Sequence, residues 1–292
     1  MENEVYQFLL KNIPGIDVKD IAALNEGLFA YTWDVCNKYV VKISKICHKN
    51  EYQDSESDVL KYIENKINIA TPKLIKHARL SDGREIIIEE KISGMPFSYE
   101  IYRNLSKVNK KNFLIEYGKV CAEIHSIKFP RLQNRLIRTA QYQKQNFHKW
   151  FIPKLQKQLN SQEISIINDS LASFEQSASS IELLPCHADL HFNNIMVSPD
   201  TYRIKGIIDF GAFHYADPAY EFRYMLGESQ SDLEIGYGKS MDESFQARQF
   251  FYCICMFLMG AVNQQLSWVS SEQNIQRLKK LIACKHMQEA YR

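Results

Sequence analysis

The 292-residue chain lacks several features that would place it in a particular class of protein. It has no long hydrophobic run, because its most apolar stretch, Phe250–Val262, has only 13 residues, which suits a buried helix but is too short to span a bilayer. It has no basic block, and 36 Lys and Arg against 34 Asp and Glu leave a formal net charge of +2. Neither nucleic acid nor a membrane is therefore expected as a partner, whereas small molecules are.

A disulfide framework and a zinc-binding pattern are also missing. The seven cysteines form no Cys-x-x-Cys pair, and Cys253 and Cys255 lie inside an apolar helical run where they suit packing. The chain begins Met-Glu-Asn-Glu, which does not have the form of a secretory signal. These features predict a reducing, cytoplasmic setting, and we expect a monomer.

Hydrophobic periodicity divides the chain into a strand-rich first part and a helical remainder. We expect an α+β fold in which residues 1–92 form a small lobe with about five antiparallel strands and a helix. Residues 93–292 form a larger, mainly helical lobe that contains one β-hairpin. The individual predictions are strands at 21–24, 30–36, 39–43, 74–75 and 85–90, and helices at 3–12, 51–64, 113–127, 142–159, 163–174, 219–226, 244–266 and 272–290.

Two short motifs follow each other in the region of the predicted hairpin. His187–Asn194 has the form H-x-D-L-x-x-x-N, and Asp209–Gly211 reads D-F-G, the two signatures of kinase-type phosphoryl transfer. Either fragment alone is more often a buried histidine or a turn aspartate that satisfies local backbone groups. Both together, in this order and separated by the apolar runs 195–197 and 204–208, indicate one catalytic region.

The chemistry of phosphoryl transfer explains the types of residue in these motifs. A carboxylate must orient the hydroxyl nucleophile and accept its proton, and Asp189 fits that task. Hard oxygen ligands must hold Mg²⁺ against the phosphates, and Asn194 with Asp209 fits that one. Asn194 follows Asp189 by five residues, so a tight loop can present both side chains to one cavity.

The predicted sheet of the first lobe offers candidate nucleotide-binding residues. Gly27 lies in the turn between the first two strands, where it can approach phosphates, although a plain hairpin explains this turn better. Lys42 ends an apolar strand and needs a partner for its ammonium group, for which Glu56 on the following helix is the candidate; a solvated strand-end lysine is the alternative. After the last strand, Glu89–Ile92 is the expected hinge, where Glu90 and Ile92 lie beside the nucleotide base.

A band of carboxylates follows the second motif. Glu221, Glu228, Asp232 and Glu234 lie in or next to the segment 227–240, which we expect to be a loop. Most charge runs of this kind are only solvated surface. A polycationic acceptor would need such carboxylates for binding and steering. A quaternary ammonium acceptor would instead need an aromatic cage, for which this part of the chain offers Tyr215, Tyr220, Tyr224, Tyr237, Phe245 and Trp268.

The chain resembles the aminoglycoside phosphotransferase and choline kinase-like superfamily, and among its members the 2″-phosphorylating aminoglycoside enzymes most closely. The family pattern H-G-D-L-H-x-x-N-I-L, I-D-F-G and D-P-A-Y-D-L is matched by His187–Met196, Ile208–Gly211 and Asp217–Phe222. Ala188 replaces a glycine of that pattern, and Glu221 replaces an aspartate.

The resemblance implies a kinase-like two-lobe fold and a set of roles. Asp189 would be the catalytic base, Asn194 and Asp209 the Mg²⁺ ligands, and Lys42 with Glu56 the pair that positions the phosphates of ATP or GTP. His187 and Asp217 would give structural support, with Asp217 bracing the catalytic loop.

A protein kinase is disfavoured by the sequence, because only five residues separate Gly211 from Asp217 and leave no room for an activation segment. We expect a Mg²⁺-dependent kinase that phosphorylates a hydroxyl of a small cationic substrate, and an aminoglycoside is the first candidate for that substrate. Two alternatives stay open: a kinase of a metabolite such as choline, homoserine or a sugar, and a non-catalytic nucleotide-binding module.

Overall fold

The computed structural model describes residues 3–24, 27, 30–45, 56–129, 152–155, 157–178, 181–263, 267 and 269–290. A five-stranded antiparallel sheet near the N-terminus is followed by a mainly helical part, so the expected α+β fold with two lobes is confirmed. The boundary of the lobes at residue 92 stays a prediction. Most of the helix predicted at 142–159 lies outside the described residues.

The helices and strands are numbered in chain order. The strands are β1 Ile21–Ala23, β2 Ala30–Val35, β3 Tyr39–Ser44, β4 Leu74–Arg79, β5 Glu85–Glu90, β6 Met95–Pro96, β7 Leu184–Cys186, β8 Ile195–Val197, β9 Ile204–Ile207 and β10 His214–Ala216. The helices are α1 Asn3–Asn12, α2 Glu56–Ile63, α3 Tyr99–Asn104, α4 Lys107–His125, α5 Ile152–Leu155, α6 Ser161–Ala178, α7 Pro218–Glu221, α8 Gln230–Tyr237, α9 Phe245–Val262, α10 Ser271–Cys284 and α11 Met287–Ala290.

The sheet of the first lobe has the strand order β1-β2-β3-β5-β4, with every pair antiparallel. Cys36 and Asn37 both have positive φ in the turn between β2 and β3, the backbone geometry of a tight hairpin. Val41 on β3 and Ile88 on β5 are paired, fully buried, and pack in one cluster with Leu9 of α1. The leading helix therefore covers one face of this sheet, as its apolar spacing predicts.

The predicted catalytic hairpin is present as β8 and β9, but it belongs to a sheet of three strands. The segment that follows the expected hinge supplies the third strand, because Met95 pairs with Val197 and Phe97 N donates to Ile195 O at 2.9 Å. Pro96 is tolerated at this edge, where a missing N–H does no harm. Gly94 has a φ of +130°, and a Cβ there would lie 2.9 Å from Val197 O.

The second lobe has one large apolar core. The predicted stripe on α4 is buried, with Phe113, Tyr117 and Ile124 almost inaccessible. Helix α9 is apolar and long enough to cross a membrane by length and composition, yet most of it is buried in this core, as in a core helix of a soluble protein. Helix α2 also buries Val59 against the same core, so it connects the two lobes.

The segment 227–240, expected to be a loop, contains helix α8, and that expectation was wrong. Ser229 caps the helix by accepting from Asp232 N, and Gly238 ends it in the left-handed conformation. Helix α8 lies very close to α4: a Cβ on Gly236 would overlap the carbonyl of Ile115. The two backbones can approach because glycine is present at the contact, and this packing stabilises a helix whose outer face is polar.

Replacing Gly236 by Ala should destabilise the protein by about 2 kcal/mol or more, because the added methyl group forces α8 away from α4. Ile235→Ala on the exposed face of the same helix is the control, since Ile235 is 61% exposed and should cost less than about 0.5 kcal/mol. Urea unfolding of both variants measures the difference. Equal stability of the two variants would contradict the close packing of α8 on α4.

Candidate active site

The catalytic loop runs from β7 to β8 and contains a left-handed residue. Ala188 has a φ of +67°, a conformation that a residue with a Cβ adopts only when its surroundings hold it there. Both sides of its peptide backbone are held: Ala188 N donates to Glu221 Oε2 at 3.2 Å, and Ala188 O accepts from Arg223 Nη2 at 2.7 Å. Asp189 therefore projects from a fixed turn.

Hydrogen bonds tie this loop to the D-F-G segment. Asn194 Nδ2 donates to Asp189 O at 2.8 Å, and Ile208 N donates to Asn194 O at 2.9 Å. His187 is fully buried, accepts from Asp189 N with Nδ1 at 3.3 Å, and lies 3.0 Å from Ile208 O with Nε2. Since Nδ1 is the acceptor, Nε2 carries the proton and donates to Ile208. Burial lowers the pKa of His187, in agreement with a neutral ring, and this geometry fits its predicted supporting role.

The residues predicted to hold Mg²⁺ offer a suitable donor set. The amide group of Asn194 uses its nitrogen in the bond to Asp189, which leaves the carbonyl oxygen as a ligand. Burial of the Asp209 carboxylate opposes its ionisation, but the charge of Lys42, the neighbouring His187 and His191 and a hydrogen bond from Gly211 N together outweigh it, and the pKa of Asp209 is lowered. A charged carboxylate with an amide oxygen is the hard-oxygen pair that Mg²⁺ prefers. The site therefore fits the ion chemically, and the ligand roles stay predictions.

Lys42 and Glu56 form the expected ion pair, with Nζ and Oε1 separated by 2.6 Å. The same Oε1 accepts from Phe210 N at 3.1 Å, so the glutamate on α2 also contacts the D-F-G segment. Burial disfavours the Lys42 ammonium, but the nearby carboxylates, Glu56 first, outweigh it and raise the pKa of Lys42. Lys42 is thus a permanent positive charge beside Asp209.

A second carboxylate lies beside Lys42, and the sequence did not predict this contact. Glu89 on β5 is buried, and its Oε1 lies 3.2 Å from Lys42 Nζ. Its Oε2 is buried without a hydrogen-bond partner among the described residues, and burial raises the pKa of Glu89 to about 7. The sequence does contain a sign of this contact, because Glu89 directly follows three isoleucines in the strand Glu85–Glu90, and a charge in a central strand needs a partner.

The hinge residues are only partly available to a ligand. Glu90 N donates to Lys73 O and Lys91 N donates to Lys38 O, each at 2.9 Å. Ile92 N has no backbone acceptor among the described residues, and the Ile92 side chain lies over Gly206 of β9. Gly27 packs close to Ala30, where a Cβ would lie 2.9 Å from the carbonyl oxygen; residues 25, 26, 28 and 29 of that predicted turn lie outside the described residues.

The structure contradicts the prediction that Glu221 contacts the acceptor. Its side chain is completely buried, and Oε2 accepts from Ala188 N. Burial raises the pKa of Glu221 to about 7 against 4.5 ordinarily, with the Ala188 hydrogen bond and the Arg223 charge acting in the opposite direction. Glu221 therefore supports the catalytic loop from inside the core.

Support of the catalytic loop was predicted for Asp217, but the contacts of Asp217 lie in a different part of the lobe. Its Oδ1 caps α7 by accepting from Ala219 N at 2.9 Å, and its Oδ2 accepts from Arg248 Nε at 2.8 Å and from Tyr252 at 3.1 Å. Asp217 thus supports the fold by fixing α7 against α9, and its bracing of the catalytic loop stays a prediction.

The other three acceptor candidates lie on α8 or just before it and have partners there. Glu228 Oε1 lies 3.7 Å from His286 Nε2, and Asp232 Oδ1 lies 4.0 Å from Lys111 Nζ. Glu234 accepts from Gln230 and Met241, and these hydrogen bonds lower its pKa. Their role toward an acceptor stays a prediction.

His125, Cys186 and Glu221 bring three potential metal-binding atoms within 4.8 Å of one another. The ring and the thiol already have protein partners: His125 Nδ1 lies 2.7 Å from the Tyr237 hydroxyl, and Cys186 Sγ donates to Leu184 O at 3.4 Å. All three side chains are buried. The cluster is accounted for by core packing.

Three kinds of comparison place the chain among known proteins. The profile described as "Phosphotransferase enzyme family" matches residues 20–254. A curated relative, the aminoglycoside 3'-phosphotransferase of Streptomyces fradiae, is 33% identical over 67 residues, which are 23% of this chain and 25% of the relative. The chain thus aligns with only about a quarter of that curated relative.

Similar solved structures cover nearly the whole chain. The GDP complex of wild-type aminoglycoside 2'-phosphotransferase-IIIa superposes with a TM-score of 0.78 at 15% identity, over 97% of this chain and 99% of that one. The streptomycin–ATP–APH(2″)-IIa ternary complex superposes with a TM-score of 0.70 at 22% identity, over 96% of each chain. At these identities the likeness establishes the fold.

The buried Glu221 should make stability depend on pH. The pKa of Glu221 rises from 4.5 to about 7 on folding, so the folded state holds the proton more tightly than the unfolded state. The resulting contribution to the free energy of unfolding is full below pH 4.5 and is lost as pH rises through 7. Glu221→Gln removes this loss, and its stability relative to wild type should improve by about 2 to 3 kcal/mol between pH 5 and pH 8. Urea unfolding at both pH values measures it, with the exposed Glu64→Gln as control. A constant difference between Glu221→Gln and wild type would refute the raised pKa.

Proposed function

The chain belongs to the phosphotransferase enzyme family, and from that membership and the geometry of its site we propose that it transfers the γ-phosphate of ATP or GTP to a hydroxyl group of a small cationic acceptor. An aminoglycoside is the first candidate for this acceptor. The observation that carries the proposal is the joined set of Asp189, Asn194, Asp209 and the Lys42–Glu56 pair. The cytoplasm is the expected compartment.

Each residue of the set has one task in the proposed reaction. Asp189 orients the acceptor hydroxyl and takes its proton through a carboxylate that is partly exposed. Lys42, held by Glu56, neutralises negative charge on the phosphates of the donor. Holding the two substrates in line lowers the barrier without a covalent enzyme intermediate.

Asn194 and Asp209 would hold Mg²⁺, which supplies charge neutralisation at the β- and γ-phosphates when bound. The oxygen donor set and the charged state of Asp209 support this assignment. The choice between ATP and GTP rests with the base-binding hinge, where Ile92 N is the backbone donor without a partner in the described residues.

An aminoglycoside is favoured as acceptor by two lines of support. Carboxylates at Glu228, Asp232 and Glu234 line the segment around α8, and a polycationic acceptor could replace their present cationic or amide partners. The similar solved structures include complexes with streptomycin and with kanamycin. A metabolite such as choline, homoserine or a sugar is the alternative acceptor, and a non-catalytic nucleotide-binding module is the second alternative.

Asp189→Asn should lower kcat by about 10² to 10⁴, the usual effect of losing a general base, while nucleotide affinity is retained. Steady-state turnover and nucleotide titration measure the two effects. Asp169→Asn, an exposed aspartate on α6, is the control and should leave kcat unchanged. Turnover of Asp189→Asn near that of wild type would refute the assignment.

A coupled nucleotide-consumption assay with ATP and with GTP tests the acceptor. Aminoglycosides, choline, homoserine and sugars are added in turn, and resistance is scored in a sensitive host. Aminoglycoside-stimulated consumption supports the proposal, whereas stimulation by choline alone would make the protein a metabolite kinase. Nucleotide binding without consumption on any acceptor would favour the non-catalytic module.

A further inference from the structure

The carboxylate of Asp189 is held by two residues that the motifs do not include. The Tyr224 hydroxyl lies 2.8 Å from Asp189 Oδ1, and Arg223 Nη2 lies 2.8 Å from the same hydroxyl oxygen. Both residues belong to the 3₁₀-helical turn Phe222–Met225 that follows α7. The three groups form a chain of hydrogen bonds that ends on the proposed base.

The direction of these hydrogen bonds follows from the groups themselves. A guanidinium group has only donors, so Arg223 must donate to the Tyr224 oxygen. An ionised carboxylate has only acceptors, so the phenolic proton of Tyr224 must point to Asp189 Oδ1. The arginine at one end and the carboxylate at the other therefore leave the tyrosine hydroxyl a single orientation, and each bond polarises the next.

Arg223 is itself fixed in place. It is 3% exposed, and its guanidinium carbon lies 3.9 Å from the ring centre of Tyr220 and 4.2 Å from that of Tyr224. Further bonds run to Tyr220 O and Ala188 O, each at 2.7 Å. A planar cation stacked between two aromatic rings has little freedom to turn, so the hydrogen bond to Tyr224 is preorganised.

The two oxygens of Asp189 consequently have different surroundings. Oδ1 is occupied by Tyr224, with Arg223 Nη2 at 3.9 Å. Oδ2 lies toward the other motif residues, with Asn194 Nδ2 at 3.5 Å and His191 Nε2 at 3.6 Å. Oδ2 is thus on the side of the proposed metal ligand, where the phosphates would lie.

We propose that Tyr224, fixed by Arg223, is a positioning residue that turns the Asp189 carboxylate so that Oδ2 takes the proton of the acceptor hydroxyl. The inference rests on the proposed function. In the step, the acceptor oxygen bonds to the γ-phosphorus as the bond between that phosphorus and the β-bridging oxygen breaks. The hydroxyl proton passes to Oδ2, and the nucleoside diphosphate leaves.

Tyr224→Phe removes the hydroxyl and keeps the ring stacked on Arg223. Loss of one hydrogen bond to a charged group should lower kcat by about tenfold to a hundredfold. The KM values of nucleotide and acceptor should change less than about twofold, since the hydroxyl that is removed is bonded to Asp189 and Arg223. Tyr62→Phe is the matched control, because its hydroxyl bonds to Lys128 O and not to Asp189. It should leave kcat within about twofold of wild type.

A double-mutant cycle separates positioning from a general structural role. If Tyr224 acts only through the Asp189 carboxylate, Tyr224→Phe should change kcat less than about twofold in the Asp189→Asn background. A structural defect would instead lower kcat by the same factor in both backgrounds, and that result would overturn the inference. A Tyr224→Phe effect confined to KM, or none at all, would overturn it too. Thermal unfolding of each variant checks that the fold is intact.

Crystal structures of wild type and Tyr224→Phe give a readout that does not depend on turnover. The Asp189 carboxylate should rotate about its terminal torsion in the variant, because Oδ1 has lost its donor. A wild type that transfers phosphate to none of the acceptors would disprove the proposed function, and the two crystal structures then decide the inference by themselves. A carboxylate that superposes in both structures overturns it.

Discussion

One buried glutamate connects the parts that the rest of the site depends on. Glu56 on α2 bonds to Lys42 of the first sheet at 2.6 Å and to Phe210 N of the D-F-G segment at 3.1 Å. In a low-dielectric interior the charge of this carboxylate needs an opposite charge or a hydrogen-bond donor beside it. Helix α2, the sheet and the D-F-G segment can therefore pack together only in the arrangement that brings Glu56 to Lys42 and to Phe210 N. Asp209 is brought beside Lys42 by the same arrangement.

The catalytic loop depends on polar groups inside the core of the second lobe. A left-handed Ala188 costs on the order of 1 kcal/mol or more, and hydrogen bonds from both sides of its peptide offset that strain. Glu221 and Arg223 make these bonds, although each is a charged residue with almost no exposure. A stretch of four residues, 221–224, thus sets the backbone of the loop and the side chain of its aspartate.

The sequence predicted the features that depend on residues close together in the chain. The five strands follow from short apolar runs, and Asp189 and Asn194 precede the same hairpin that Asp209 follows, so spacing alone relates them. The contacts of Glu89 with Lys42, of Arg223 with Ala188 and of Tyr224 with Asp189 were not predicted, because the partners come from distant parts of the chain and only the fold brings them together. Glu221 was misassigned for the same reason, since a carboxylate in the sequence does not show whether it faces solvent. Helix α8 was missed because its polar residues, its glycine at 236 and the glycine at 238 that ends it indicate a loop, while its packing on α4 is a tertiary effect.

The short strand β6 limits how the two lobes can move. Lys91 is still bonded to Lys38 of the first lobe, whereas Met95 is already paired with the catalytic hairpin. Any rocking of the sheet over the helical lobe along this connection must therefore be taken up by Ile92, Ser93 and Gly94. The pivot is three residues long and leads into the strand that pairs with β8, and Ile207 N also bonds to Ala70 O of the first lobe. A movement of the sheet is therefore passed directly to the hairpin that precedes Asp209.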